Sequence, residues 1–80
     1  MIEEKILIVE DDESVCEILE KTLKHFTAYE IFITNDGEDG LHQALTGNFS
    51  AMLLDLALPS MDGLEIIEAL KAKNRAIPTI

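Results

Sequence analysis

The stretch Lys5–Asp12 reads KILIVEDD, an uninterrupted apolar run followed directly by three acidic residues. A run of β-branched residues and leucine without alternating polar positions is typical of a strand covered on both faces, as strands of parallel sheets are. We therefore predict a buried strand over Lys5–Val9, with the acidic residues at its carboxyl end. The same arrangement returns at Ala51–Asp55, AMLLD, where an acid again follows an apolar run.

Strands and helices alternate along the rest of the chain. Helices are expected where apolar residues recur three or four positions apart behind an Asp that can cap the first turn, and strands where β-branched or aromatic runs are bounded by turn residues. Because parallel neighbours need a crossover connection, the alternation predicts an α/β protein with a doubly wound parallel sheet. The predicted elements are a strand at Lys5–Val9, a helix at Glu13–Phe26 capped by Asp12, a strand at Tyr29–Thr34, a helix after Asp36, a strand at Ala51–Leu54, a break at Leu58–Pro59, a helix after Asp62 and the start of a fourth strand at Ile77–Ile80.

Two helices carry further signals. The apolar stripe of the first helix is formed by Val15, Ile18, Leu19, Leu23 and Phe26. The second helix is expected to end at Gly47–Asn48, two residues that tolerate the left-handed conformation found at many helix ends.

The composition indicates a small acidic globular domain. Of 80 residues, 48% are hydrophobic and 28% charged, and the net charge is -10. Such a charge repels nucleic-acid phosphates and anionic lipid, so we expect no direct nucleic-acid binding and no membrane binding by this segment. The first apolar run is too short for a signal-peptide core or a membrane span, which predicts a cytoplasmic protein. Cys16, the single cysteine, is interpreted as a small helix filler, and His25 and His42 as surface or boundary residues.

Three acidic residues stand where apolar strands end, namely Glu10 and Asp11 after the first strand and Asp55 after the third. The carboxyl edge of a parallel sheet is where α/β proteins bind ligands, so these side chains face one another if the two strands are neighbours. Clustered carboxylates are unfavourable unless a cation neutralises them, and Mg²⁺ binds through one or two carboxylates, water and phosphate. The remaining aspartates at helix starts are interpreted as caps: Asp12, Asp36 and Asp62.

Four motifs in order carry a family resemblance: ILIVEDD at Ile6–Asp12, NDG at Asn35–Gly37, LLDLALPSMDG at Leu53–Gly63, and Ile77–Pro78. Together they resemble the receiver domain of bacterial two-component response regulators, the CheY-like family, over residues 1–80. The resemblance implies a flavodoxin-like fold that is incomplete here, with about three and a half of its five βα units.

The resemblance also implies a function. Asp55 would accept a phosphoryl group from a sensor histidine kinase or a phosphotransfer protein, and the signal would pass to an output domain or target protein. Asp11 and Asp55 would bind Mg²⁺ directly, Glu10 would act through water, and the backbone carbonyl of Ala57 would complete the protein ligands. Such a domain assists its own phosphotransfer without being an enzyme.

The chain also departs from the family pattern. The switch Ser or Thr at the end of the fourth strand and the Lys at the end of the fifth have no matching position in these residues, and Thr79 comes too early to be assigned. We therefore expect a receiver domain truncated at its C-terminal side, with the fourth strand as an unprotected edge and apolar surface uncovered on one sheet face, through which it self-associates.

Two alternative functions remain open. One is a pseudo-receiver fragment that keeps the fold as a protein-interaction module without phosphotransfer. The other is a phosphatase of the haloacid-dehalogenase type, which requires a second Asp two residues after its nucleophile, where this chain has Ala57.

Overall fold

Three parallel strands form the centre of the structure, a computed structural model that describes residues 4–58 and 61–80. Strand β1 (Lys5–Val9) lies in the middle, between β2 (Glu30–Thr34) and β3 (Ala51–Leu54). The predicted parallel sheet is confirmed, and β2 begins one residue later than expected. The first and third strands are therefore direct neighbours.

The strand register brings all three carboxyl ends to one edge of the sheet. Val9 is paired both with Thr34 of β2 and with Leu54 of β3. Two backbone hydrogen bonds of 3.0 Å continue past these pairs, from the Glu10 N–H to the Thr34 carbonyl and from the Asp55 N–H to the Val9 carbonyl. The side chains that follow the strands are thus held at a common edge.

Each helix begins behind an aspartate cap. The shortest bonds from first-turn N–H groups to the side chains of Asp12, Asp36 and Asp62 measure 2.9, 3.0 and 2.7 Å. All three predicted caps are confirmed, because each carboxylate accepts a hydrogen bond that the helix itself cannot supply. The helices are α1 (Glu13–Phe26), α2 (Gly37–Thr46) and α3 (Gly63–Ala72).

The end of α2 differs from the prediction of a left-handed residue at Gly47–Asn48. Gly47 has φ -92°, and its N–H bonds to the Gln43 carbonyl. A Cβ at this position would lie 2.6 Å from the Phe49 ring and 3.0 Å from the Gln43 carbonyl oxygen. The glycine is therefore required by the close approach of the chain and not by the sign of φ.

The left-handed helix end belongs to α3 instead. Asn74 has φ 55°, and its N–H bonds to the Lys71 carbonyl at 3.0 Å while the Arg75 N–H bonds to the Leu70 carbonyl at 2.8 Å. These two bonds form a Schellman motif, in which asparagine can replace the usual glycine.

The predicted fourth strand is present as a single parallel bridge. Thr79 pairs with Met52 of β3. The Met52 N–H bonds to the Pro78 carbonyl and the Ile80 N–H to the Met52 carbonyl, both at 2.9 Å. Ile77–Ile80 thus lies beside β3 in the position of a fourth strand, although one bridge does not make a full strand.

The best-packed core lies between the sheet and helices α2 and α3. It includes Leu7 and Val9 of β1, Met52 of β3, and Ile66 and Leu70 of α3, each at most 2% exposed. Because side chains of one β-strand face are packed against two helices, this side of the sheet is closed to solvent.

The apolar stripe of α1 is covered only in part. Cys16 is buried, in agreement with a helix filler, and Leu19 is half-buried. Val15, Ile18 and Phe26 are exposed, Ile18 to 65% and Phe26 to 75% of their surface. The exposed apolar surface therefore lies on this helix, whereas the prediction placed it on one face of the sheet.

The remaining sequence predictions concern the histidines, the undescribed residues and membrane spans. Both histidines are exposed, as expected. Met1–Glu3 and the predicted break at Pro59 lie outside the described residues. Within the described part, no helix has the length and apolar character needed to cross a membrane.

Candidate metal centre

Three carboxylates meet where β1 and β3 end. Glu10, Asp11 and Asp55 each contribute one oxygen atom to a group in which all atoms lie within 4.8 Å of one another. Glu10 and Asp55 are half-buried, whereas Asp11 is exposed. The prediction that these side chains face one another is confirmed, because the parallel register places the ends of the two neighbouring strands side by side.

Glu10 is held at each of its polar groups. Its N–H bonds to the Thr34 carbonyl at 3.0 Å, and its side-chain Oε1 accepts from the Asp12 N–H at 3.1 Å. Its carbonyl accepts from Asn35 Nδ2 at 2.9 Å and from Cys16 Sγ at 3.4 Å. Glu10, the first residue after β1, is thus held by hydrogen bonds with Thr34 of β2, with Asn35 and with Cys16 of α1.

The electrostatics of the cluster disfavour a full set of negative charges. Burial raises the pKa of Glu10 above its ordinary 4.5, and the charges of Asp55 and Asp11 raise it further, while the Asp12 N–H lowers it in part. In the part of the chain that the structure describes, no Lys or Arg pairs with these carboxylates. A cation bound between them would remove the repulsion.

The donor set suits a hard divalent cation. Carboxylate oxygens are the ligands that Mg²⁺ and Ca²⁺ prefer, and an exposed member such as Asp11 leaves room for the waters that Mg²⁺ retains. The residues present therefore fit a magnesium ion.

Asp55 is oriented by the loop that follows β3. Its Oδ1 accepts a hydrogen bond from the Ala57 N–H at 3.0 Å. Gly63, the first residue of α3, lies against this loop, since a Cβ there would be 2.8 Å from Leu56 Cα. The Ala57 carbonyl belongs to the same loop, and its role as a metal ligand remains a prediction.

A second polar network lies at the end of β2. The buried Thr34 hydroxyl donates to Asp39 Oδ2 at 2.7 Å, and Gln43 Nε2 donates to the same oxygen at 2.8 Å. These two hydrogen bonds lower the pKa of Asp39 below its ordinary 3.8. The network ties the start of α2 to the edge of the sheet.

The contacts that Asn35 and Cys16 make with Glu10 were not predicted from the sequence. The motif that contains Asn35 was interpreted as a turn and a family signature, and Cys16 as packing. A signal was available in principle, because a side chain directly after β2 shares an edge with one directly after β1. Thr79, left unassigned from the sequence, donates its hydroxyl to the Ile77 carbonyl at 2.7 Å and does not join the cluster.

Comparisons with known proteins agree with this geometry. The family model of the response regulator receiver domain matches residues 6–80. The chain is 41% identical over 76 residues to the response regulator ArlR of Staphylococcus saprophyticus, covering 95% of this chain and 34% of that protein. It is 37% identical over 75 residues to the transcriptional regulatory protein YkoG of Bacillus subtilis, covering 94% and 32%.

Solved structures support the same assignment. The response regulator TrrA from Thermotoga maritima, solved in complex with Mg(2+)-BeF, superposes with a TM-score of 0.85 at 29% identity, over 95% of this chain and 65% of that chain. The chain spans about a third of the length of the curated relatives. With the family model matched from the first strand to the last residue, the chain belongs to the response regulator receiver domain family.

Proposed function

We propose that this chain is the phosphoacceptor part of a two-component signalling protein, in which Asp55 receives a phosphoryl group with Mg²⁺ as cofactor. The observation that carries the proposal is the convergence of Glu10, Asp11 and Asp55 within 4.8 Å at the carboxyl edge of the sheet. In a member of the receiver family, this is the arrangement that a phosphoryl-transfer site requires.

The proposed partners are those that the receiver family implies. A sensor histidine kinase or a phosphotransfer protein would supply the phosphoryl group. An output domain or target protein would respond to it, and the names of two relatives, the transcriptional regulatory protein CusR of Escherichia coli and the alkaline phosphatase synthesis transcriptional regulatory protein PhoP of Bacillus subtilis, favour control of transcription. We place the protein in the cytoplasm and treat residues 1–80 as one receiver domain.

Three of the proposed metal ligands are the carboxylates whose oxygen atoms lie within 4.8 Å of one another. Asp11 and Asp55 would bind Mg²⁺ directly, Glu10 would act through a water molecule, and the Ala57 carbonyl would complete the protein ligands. When bound, Mg²⁺ neutralises negative charge on the phosphoryl oxygens. Because few protein ligands replace its water shell, we expect millimolar-class affinity.

The transfer itself needs little covalent machinery. A carboxylate oxygen of Asp55 attacks the phosphorus in line, an O–P bond forms, and the P–N bond to the donor histidine breaks with its electron pair left on the imidazole. The Ala57 N–H holds Oδ1 of Asp55, which orients the carboxylate for this attack. The domain thus contributes positioning and electrostatics to its own modification, and Ala57 offers no acid for a phosphatase mechanism.

Phosphorylation of residues 1–80 by themselves should be slow. The family's Lys contact to the phosphoryl group has no matching position here, and loss of one preorganised electrostatic group of this kind costs about a hundredfold or more in rate. This expectation concerns the rate and not the identity of the acceptor.

Binding of beryllofluoride, a stable analogue of the phosphoryl group, tests the proposal without group transfer. In ¹⁹F NMR we expect bound resonances that require Mg²⁺ and that Asp55→Asn abolishes. Asp62→Asn is a matched control, because it removes a charge at the same edge while asparagine still caps α3. Bound signals that persist in Asp55→Asn, or a folded wild type that shows none, would overturn the proposal.

A further inference from the structure

We propose that Asn35 is a positioning residue of the acidic site, which fixes the peptide group between Glu10 and Asp11 and so directs both carboxylates toward the cation. Asn35 Nδ2 donates to the Glu10 carbonyl oxygen at 2.9 Å, across a sequence separation of 25 residues. That carbonyl is part of the peptide bond joining two of the three clustered acids. The inference rests on the proposed function for the identity of the cation. The hydrogen bond from Asn35 to Glu10 is independent of that function.

The hydrogen bond from Asn35 to the Glu10 carbonyl lies just beyond the last backbone hydrogen bond between β1 and β2. The last bond between β1 and β2 on this side runs from the Glu10 N–H to the Thr34 carbonyl. In a continuing parallel ladder the Asp36 N–H would be the next donor to the Glu10 carbonyl. Here the Asp36 N–H donates to the Thr34 hydroxyl at 3.4 Å as the chain turns into α2. The Asn35 side chain thus substitutes for a backbone donor of the sheet.

A second donor supports the same carbonyl. Cys16 Sγ lies 3.4 Å from the Glu10 oxygen and comes from the first turns of α1. A protonated thiol can donate a hydrogen bond to a carbonyl oxygen at this distance. Sulfur is a weak donor, and the Asn35 amide is therefore the principal restraint.

The restraint matters most for Asp11. In the described residues, no hydrogen bond holds the Asp11 side chain, which is exposed. Its direction is therefore set by the backbone, and the preceding peptide group is the part of the backbone that Asn35 holds. Glu10, by contrast, has an additional bond to the Asp12 N–H at 3.1 Å.

Two NMR measurements on the ¹⁵N-labelled chain test the inference. In Asn35→Ala, without metal, the heteronuclear NOE of the Asp11 amide should fall. In a magnesium titration of the same variant, the dissociation constant should rise roughly tenfold, as is common when a partner behind a metal ligand is removed. Asn35→Gln, which keeps the amide donors, should recover part of the affinity. Asn48→Ala is the matched control, an exposed asparagine in the loop before β3 at the opposite edge of the sheet.

The outcomes separate this inference from the proposed function. An unchanged Asp11 NOE together with unchanged magnesium affinity in folded Asn35→Ala would overturn the positioning role. A lowered NOE with a wild type that binds no Mg²⁺ would support the positioning role and overturn the proposed function. If Asn35→Ala does not fold, Cys16→Ala removes the weaker donor and should produce a smaller change in the same two quantities, whereas no change would count against the proposal.

Discussion

Replacing Asp55 by asparagine should stabilise the metal-free protein, although Asp55 is the proposed phosphoacceptor. The substitution removes one of three carboxylate charges whose oxygens lie within 4.8 Å of one another. The asparagine Oδ1 can still accept the hydrogen bond that the Ala57 N–H gives to Asp55. The change therefore relieves repulsion while the packing of the loop is kept.

The magnitude follows from Coulomb's law. Two unit charges 4.8 Å apart repel by about 0.9 kcal/mol in the dielectric of water, and Asp55 faces two such charges, on Glu10 and Asp11. Screening at physiological ionic strength reduces the sum of about 1.7 kcal/mol by roughly half. We expect Asp55→Asn to raise the free energy of unfolding by about 1 kcal/mol in EDTA.

Magnesium should stabilise the wild type more than the Asp55→Asn variant. At a concentration tenfold above its dissociation constant, a ligand that binds only the folded state adds about 1.4 kcal/mol to the free energy of unfolding. The wild type should show this gain, whereas Asp55→Asn, which has lost a ligand, should show almost none. Magnesium should therefore remove the difference in free energy of unfolding that separates the two proteins in EDTA.

The assay is urea unfolding followed by circular dichroism, in EDTA and in Mg²⁺, for wild type, Asp55→Asn and Glu68→Gln. Glu68 is an exposed acid on α3, and its neutralisation should change stability by less than about 0.5 kcal/mol in either buffer. If Asp55→Asn is destabilised in EDTA, or if Mg²⁺ stabilises it as much as the wild type, the reasoning about clustered charge is wrong.

Three further predictions concern other parts of the molecule. Asp11→Asn should weaken Mg²⁺ binding at least about tenfold in an NMR titration, and unchanged binding would remove Asp11 as a direct ligand. Because hydrogen bonds lower the pKa of Asp39 below 3.8, its contribution to stability is present above that pH and is lost as the pH falls through the lowered value. The difference in urea midpoint between wild type and Asp39→Asn should accordingly shrink in acid, and a difference independent of pH would contradict this. Exposed Ile18 and Phe26 should cause concentration-dependent association in sedimentation velocity, which Ile18→Lys should reduce, whereas a monomer at all concentrations would show that this surface is inert.

Local signals accounted for most of the architecture. The bounds of β1 and α1 were predictable because the apolar run ends before the acidic residues, and Asp12 caps a helix whose apolar residues recur every three or four positions. The carboxylate cluster was predictable for a different reason, since in a parallel sheet the residues that follow neighbouring strands share an edge. Because β1 and β3 are neighbours, Glu10, Asp11 and Asp55 converge at this edge.

Two features were missed because the local residue pattern has more than one structural explanation. Gly47 ends α2 with φ -92° and Asn74 follows α3 with φ 55°, and because both residue types are common at helix ends, residue type alone does not show which of them is left-handed. The hydrogen bond from Asn35 to Glu10 spans 25 residues, and turn chemistry alone explains an asparagine at that position equally well.

Peptide mapping by mass spectrometry after treatment with acetyl phosphate and Mg²⁺ tests most directly whether Asp55 is a magnesium-dependent phosphoacceptor. We expect slow incorporation of one phosphoryl group at Asp55, which is lost in Asp55→Asn and in EDTA and retained in Asp62→Asn. Labelling of another residue, labelling of Asp55 that persists in EDTA, or no label after prolonged incubation of the folded protein would contradict it.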